Sequence, residues 1–207
     1  MHGRSLVFCL SLFSAASAGA SGIAVQVQDA TGKVLPDTVV YVELEGGASP
    51  AGKPATAQIE QKGLKFLPLV TVVQTGATIN FPNNDKVRHH IYSFSPAHKF
   101  DQKLYSGQAA SPQVFDKAGT VVLGCNIHDK MIAYVKVVDT PYFAKTDGSG
   151  AVRIELPAAG KYVVKAWHYN TVGGATPEQT LTVKAGDLTT AVFKLPMKPT
   201  AADDAAL

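Results

Sequence analysis

Gly124-Cys125-Asn126-Ile127-His128-Asp129-Lys130-Met131 is the stretch on which the reading of this chain turns. It carries a thiolate, an imidazole and a thioether in the spacing Cys-x2-His-x2-Met, and Asn83-Asn84-Asp85-Lys86-Val87-Arg88-His89-His90 upstream supplies a further imidazole. One thiolate, two imidazoles and one thioether form the donor set of a blue-copper electron-transfer centre. Thiolate is soft and mixes strongly with copper, imidazole suits both Cu(I) and Cu(II), and an axial thioether binds weakly, so neither oxidation state is strongly preferred. Such a cage need not rebuild when the charge changes.

Outward from that stretch, short apolar-alternating runs recur between turn signals. They include Ile23–Gln28, Val39–Leu44, Val70–Val73, Thr78–Phe81, His90–Phe94, Thr120–Leu123, Met131–Val138, Ala151–Leu156, Lys161–Trp167, Gln179–Val183 and Thr190–Leu195. Thr31-Gly32, Gly46-Gly47, Gly76, Pro82-Asn83-Asn84, Asp147-Gly148-Ser149-Gly150 and Ala185-Gly186-Asp187 punctuate them. Period-2 alternation at this spacing predicts an all-β chain of antiparallel sandwiches. Helical periodicity is confined to a short turn expected near Pro96–Lys103.

The beginning of the chain reads as a secretory signal over residues 1–20. Arg4 gives a positive start, Leu6 to Phe13 a short apolar core, and Ala16-Ser17-Ala18 a small-residue cleavage site. That run is too short to span a bilayer, so no membrane span is expected in the mature chain. Export to the periplasm is the predicted location. Of the two cysteines, Cys9 leaves with the signal, and Cys125 remains alone in a compartment that oxidises spare thiols. Donors three and six residues on favour metal ligation over an inert buried cysteine. The formal charge of +3 comes from scattered lysines, which argues against nucleic acid as a partner.

From about Ala55 to Val138 the chain resembles a cupredoxin. Lys65-Phe66-Leu67-Pro68 leads into Val72 and Thr75-Gly76, then Ile79-Asn80-Phe81-Pro82-Asn83 with Asp85 and a histidine, and finally Gly124 to Met131. The ligand loop is as short as that of amicyanin. The run Phe81 to Pro96, together with Leu123-Gly124-Cys125-Asn126-Ile127-His128-Asp129, is similar to the plastocyanin-like methylamine utilisation proteins of the kind called protein L. The flanks resemble a carboxypeptidase regulatory-like domain: Gly22–Leu44 its opening strands, and Thr146-Asp147-Gly148-Ser149-Gly150 with Leu156 to Tyr162 its closing strands. Neither flank buries both faces of a sheet alone. The predicted architecture is therefore a Greek-key cupredoxin sandwich, residues 52–140, nested between two halves of a small β-sandwich, residues 22–51 and 141–197, with a disordered tail at 198–207. A tandem order is the alternative, and pairing of the early strands with the segment after Arg153 distinguishes the two.

The resemblance implies one type 1 copper ion held by His89, Cys125, His128 and Met131. In the family the cysteine ends one strand and the third loop ligand opens the next, as Thr120–Leu123 before Cys125 and Met131–Val138 allow. The family's upstream histidine stands five residues after the second asparagine, which selects His89 when counted from Asn84. Successive strand residues face opposite ways, so only one of His89 and His90 points at the metal. His90 and Asn84 stand as alternative ligands or as groups hydrogen-bonded to one. Met197 is the other methionine of the exported chain. Asp129 and Lys130, where related loops carry proline and an apolar residue, give a polar face for docking a partner. His98 and His168 stand alone, and Asp85 and Arg88 are placed to pair across a turn.

The function implied is that of a periplasmic single-electron carrier rather than an enzyme, since four protein ligands leave no open position for catalysis. A c-type cytochrome or a dehydrogenase is the partner expected, in methylamine or related amine oxidation, and the carrier is expected to be a monomer. A second reading is a non-redox accessory module that delivers copper or recognises a carbohydrate or a protein. Reversible cycling without metal loss separates carrier from delivery protein.

Overall fold

The structure is a computed structural model that describes residues 21–47, 55–105 and 111–199. The expected signal, residues 1–20, lies outside the described residues, as do residues 48–51 of the first flanking half and 200–207 of the tail. In chain order the strands are β1 (Gly22–Asp29), β2 (Val39–Leu44), β3 (Thr56–Gln58), β4 (Glu60–Gln61), β5 (Phe66–Leu67), β6 (Val70–Gln74), β7 (Ala77–Asn80), β8 (His89–Ser95), β9 (His98–Tyr105), β10 (Gln113–Phe115), β11 (Gly119–Cys125), β12 (Ile132–Val138), β13 (Phe143–Lys145), β14 (Ala151–Glu155), β15 (Gly160–Trp167), β16 (Glu178–Val183) and β17 (Leu188–Leu195). A single 3₁₀ turn, Val172–Gly174, is the helical element among the described residues. No helix there is long and apolar enough to cross a membrane.

Alternation decides which way each strand faces. In β1, Ile23, Val25 and Val27 are buried while Ala24, Gln26 and Gln28 are half-buried or less deeply packed, and in β11 Val121, Leu123 and Cys125 point inward while Val122 is exposed. Each fully buried aliphatic or phenyl side chain of this kind contributes about 1.5–3 kcal/mol. Two sandwiches result. In one, a five-stranded sheet in the order β6-β12-β11-β8-β9 and a three-stranded sheet β10-β7-β3 share a core of Phe66, Ile79, Phe81, Ile91, Phe115, Leu123, Cys125 and Met131 among others. In the other, β14-β1-β17 and β13-β2-β15-β16 close over Ile23, Val42, Tyr162, Phe193 and Leu195.

The chain's two ends build the second sandwich together. β1 pairs antiparallel with β14 and parallel with β17, and β2 pairs antiparallel with β13 and β15. Strands β3 to β12 are thus threaded between paired halves, the nested arrangement rather than the tandem one. A third apolar cluster joins the sandwiches: Val39, Tyr41 and Trp167 from one meet Val70 and Val138 from the other. Lys136 lies over the rings of Tyr41 and Trp167, at 5.7 and 5.4 Å from their centroids, and Tyr134 stacks on Tyr169 at 4.9 Å. Thr140 Oγ1 donates to the Val42 carbonyl at 2.6 Å and Lys145 Nζ to that of Val70 at 2.9 Å.

The helical turn expected near Pro96–Lys103 is a strand instead. Pro96 and Ala97 form a two-residue turn, Ser95 opposes His98, and Ser93 opposes Phe100, whose ring packs against the core. Proline suits the first turn of a helix and a tight hairpin turn alike, and cross-strand burial of Phe100 selects the hairpin. At the other end, Lys198, assigned to a disordered tail, donates its N–H to the Asn170 carbonyl at 3.0 Å and accepts from Asn170 Nδ2 at 3.2 Å.

Candidate metal centre

Cys125 ends β11 facing the core, and the chain then turns back on itself before β12. Backbone bonds close that turn: Met131 N–H reaches the His128 carbonyl at 2.9 Å, and Cys125 N–H reaches the Met131 carbonyl at 3.2 Å. The positions of Cys125, His128 and Met131 are therefore set by main-chain geometry. Cys125 opposes Ile91 and Gly124 opposes Tyr92 across the β11–β8 ladder, so the start of β8 comes beside the cysteine. Along β8 the buried residues are His89, Ile91 and Ser93, and His90, Tyr92 and Phe94 face the other way.

Three donor atoms meet there. Cys125 Sγ lies 3.8 Å from His89 Nδ1 and 3.6 Å from His128 Nδ1, and the two imidazole rings stand edge to face with centroids 5.0 Å apart. Metal–donor bonds of about 2.0–2.3 Å opened to roughly 120° put sulfur and nitrogen about 3.7 Å apart, so the separations fit one ion in a trigonal cage. Met131 is buried in the same apolar cluster as Cys125. His89 is fully buried, His128 half-buried, and Asn126, Ile127, Asp129 and Lys130 are exposed around it. The donor set fits one type 1 copper ion.

His90 and Asn84 go elsewhere. The His90 ring turns outward and Nε2 contacts Asp101 Oδ1, and Asn84 Nδ2 donates to Glu60 Oε1 at 2.6 Å. His98 packs on Phe115 with ring centroids 4.5 Å apart, and His168 is buried against Tyr169, where Nδ1 accepts the Asn170 N–H at 3.1 Å. Neither belongs to the group whose donor atoms lie close enough to hold one metal ion, which among the described residues is His89, Cys125 and His128.

One contact was not read from sequence. Asp85 turns not to Arg88 but to His89, with Oδ2 2.8 Å from Nε2, the ring nitrogen away from Cys125. Gly63 N–H donates to Asp85 Oδ1 at 2.6 Å and Leu64 N–H to Oδ2 at 3.1 Å. Burial raises this carboxyl, but the bonds from His89, Leu64 and Gly63 outweigh it and hold the group below its ordinary value. The i, i+4 spacing of Asp85 and His89 was the available signal, but it spans a loop and a strand, where spacing does not specify proximity.

A groove of about 430 Å³ runs beside the centre, lined by Tyr92, Phe94, Val122, Ile132 and Met131 and reaching Cys125. Phe94 is 77% exposed and Ile127 48%, so the surface near the donors is partly apolar.

No family model matches this chain, and no curated relative does. Solved structures similar to parts of it include a purple cupredoxin from Nitrosopumilus maritimus, 24% identical, with a TM-score of 0.35 over 40% of this chain and 99% of that one. A methionine-to-alanine mutant of amicyanin in its Cu(I) form is 17% identical, with a TM-score of 0.37 over 47% of this chain and 99% of that one. A Cu-containing nitrite reductase from Thermus scotoductus SA-01 is 21% identical, with a TM-score of 0.39; the match spans 46% of this chain and a quarter, 25%, of the reductase.

Proposed function

We propose that this protein is a single-electron carrier with a type 1 copper centre held by His89, Cys125, His128 and Met131. The observation that supports the reading is the convergence of Cys125 Sγ with two Nδ1 atoms at 3.6 and 3.8 Å, all carried by strand ends or a backbone-closed turn. Bound copper supplies a one-electron couple whose oxidised form absorbs strongly through charge transfer from thiolate. The chain supplies the rest. Burial of His89, Cys125 and Met131 excludes water, and the paired strands keep the donors in place, which lowers the reorganisation that electron exchange must overcome. His128, half-buried at the loop, is the most exposed of the four side chains and is the route by which an electron enters or leaves.

Around His128, exposed Ile127 with Asp129 and Lys130 forms the docking face for a redox partner. A small apolar contact rimmed by charge suits a transient encounter, in which charge steers approach and little area is buried. A c-type cytochrome or a dehydrogenase is the partner proposed, in the periplasm and in amine oxidation, methylamine being the narrowest form. Residues 52–140 constitute the copper-binding domain, and 22–51 with 141–197 the sandwich that carries it.

Copper loading of the purified protein tests the reading. An intense band near roughly 600 nm is expected from the oxidised protein and its loss in Cys125→Ser. A colourless copper-loaded protein with a freely titratable Cys125 overturns it.

A further inference from the structure

We infer that Asp85 is a positioning residue for the copper ligand His89, setting which ring nitrogen faces the metal and biasing the site toward the oxidised ion. This rests on the copper reading above. A neutral imidazole carries one N–H, and an ionised carboxylate only accepts. With Asp85 Oδ2 2.8 Å from Nε2, the proton is kept on Nε2, and the lone pair of Nδ1 is left toward Cys125 Sγ, 3.8 Å away.

The carboxylate is itself fixed from several sides. Gly63 N–H and Leu64 N–H hold its oxygens, and its own backbone N–H donates to Asn83 Oδ1 at 3.0 Å. The turn that aims those two amides is built from consecutive left-handed residues, Gly63 at φ 62° and Leu64 at φ 57°. Leucine seldom adopts that conformation, and a strained residue whose N–H points at a buried ligand's partner marks a site where geometry is imposed. Lys62 N–H closes the turn on the Lys65 carbonyl at 3.0 Å. Asp85 is 13% exposed and His89 not at all, so its negative charge acts on the imidazole through little water. A carboxylate on the far nitrogen makes the imidazole a stronger donor, which stabilises Cu(II) more than Cu(I) and lowers the reduction potential.

Asp85→Asn removes the charge while keeping an acceptor for His89. The variant is expected to lose about 10–100-fold in Cu(II) affinity and less in Cu(I) affinity, so its potential rises, by 59 mV for each tenfold difference between the two losses. Equal weakening of both oxidation states, with an unmoved potential and a native circular dichroism spectrum, would show a turn lock only and overturn the inference. A second measurement needs no copper. Nitrogen-15 NMR of the metal-free wild-type chain above neutral pH is expected to find the His89 proton on Nε2, and a proton on Nδ1 would sink the assignment. A wild-type protein that binds copper without a blue band would reject the copper reading, while the metal-free spectrum still decides the role of Asp85.

Discussion

His89 and His90 are adjacent in sequence and opposite in space. One is sealed in the core with Nδ1 toward Cys125, the other turned out to Asp101. His89→Gln is therefore expected to abolish the visible band of the copper-loaded protein, whereas His90→Gln keeps it with copper affinity within about threefold, a difference read by absorption and metal competition. A second histidine carries a prediction about pH. Burial pushes His168 below its ordinary value of 6.5, against the pull of the Asp37 charge and the Pro36 carbonyl. As pH falls below 6.5 the unfolded chain takes up this proton before the folded one does, so the folded state loses stability from there down to the lowered value. Denaturant midpoints at pH 7 and pH 5 are expected to differ less in His168→Asn than in wild type, because asparagine retains an acceptor for the Asn170 N–H and does not titrate.

At the level of elements, two glycines separate tight packing from backbone demand. A Cβ at Gly124 would lie 2.8 Å from the Tyr92 ring, whose tip can swing toward the groove, whereas at Gly150, with φ 73°, it would lie 2.6 Å from the Val27 carbonyl oxygen. Gly124→Ala is expected to destabilise by roughly 1 kcal/mol and to keep the blue band, since Cys125 faces the other side of β11. Gly150→Ala meets both a fixed backbone atom and a left-handed φ, and a loss of roughly 2–3 kcal/mol is expected in urea denaturation. What sequence revealed divides on similar lines. Alternation marked eleven of the seventeen strands, those with a regular buried face, and passed over short or irregular ones such as β3 and β13, while the Cys-x2-His-x2-Met spacing stood out because its three donor types lie within seven residues. The parallel pairing of β1 with β17 left no trace, since a ladder between distant segments depends on partners and not on local pattern. Pro96-Ala97-His98-Lys99 lacks alternation and so read as a helical start, and only the burial of Phe100 decides otherwise.

For the whole molecule, the apolar contact between the two sandwiches is what joins them. Trp167, 4% exposed, packs with Tyr41, Val70 and Val138 and lies under the Lys136 ammonium. Trp167→Ala is expected to destabilise by about 3–5 kcal/mol, read as a lower denaturant midpoint by circular dichroism. Two well-separated transitions in the wild-type protein would show that the cluster joins the sandwiches only weakly.

The early strands also wait longest for their partners. Gln26 bonds the Ser149 carbonyl across 123 positions, and β1 finds its second neighbour only at Leu188–Leu195. During synthesis or export, the intervening sandwich can finish while β1 and β2 still present bare edges. The last segment to emerge then fastens the whole like a clasp, so a chain cut short near its carboxyl end would carry a competent copper pocket on an open, aggregation-prone frame.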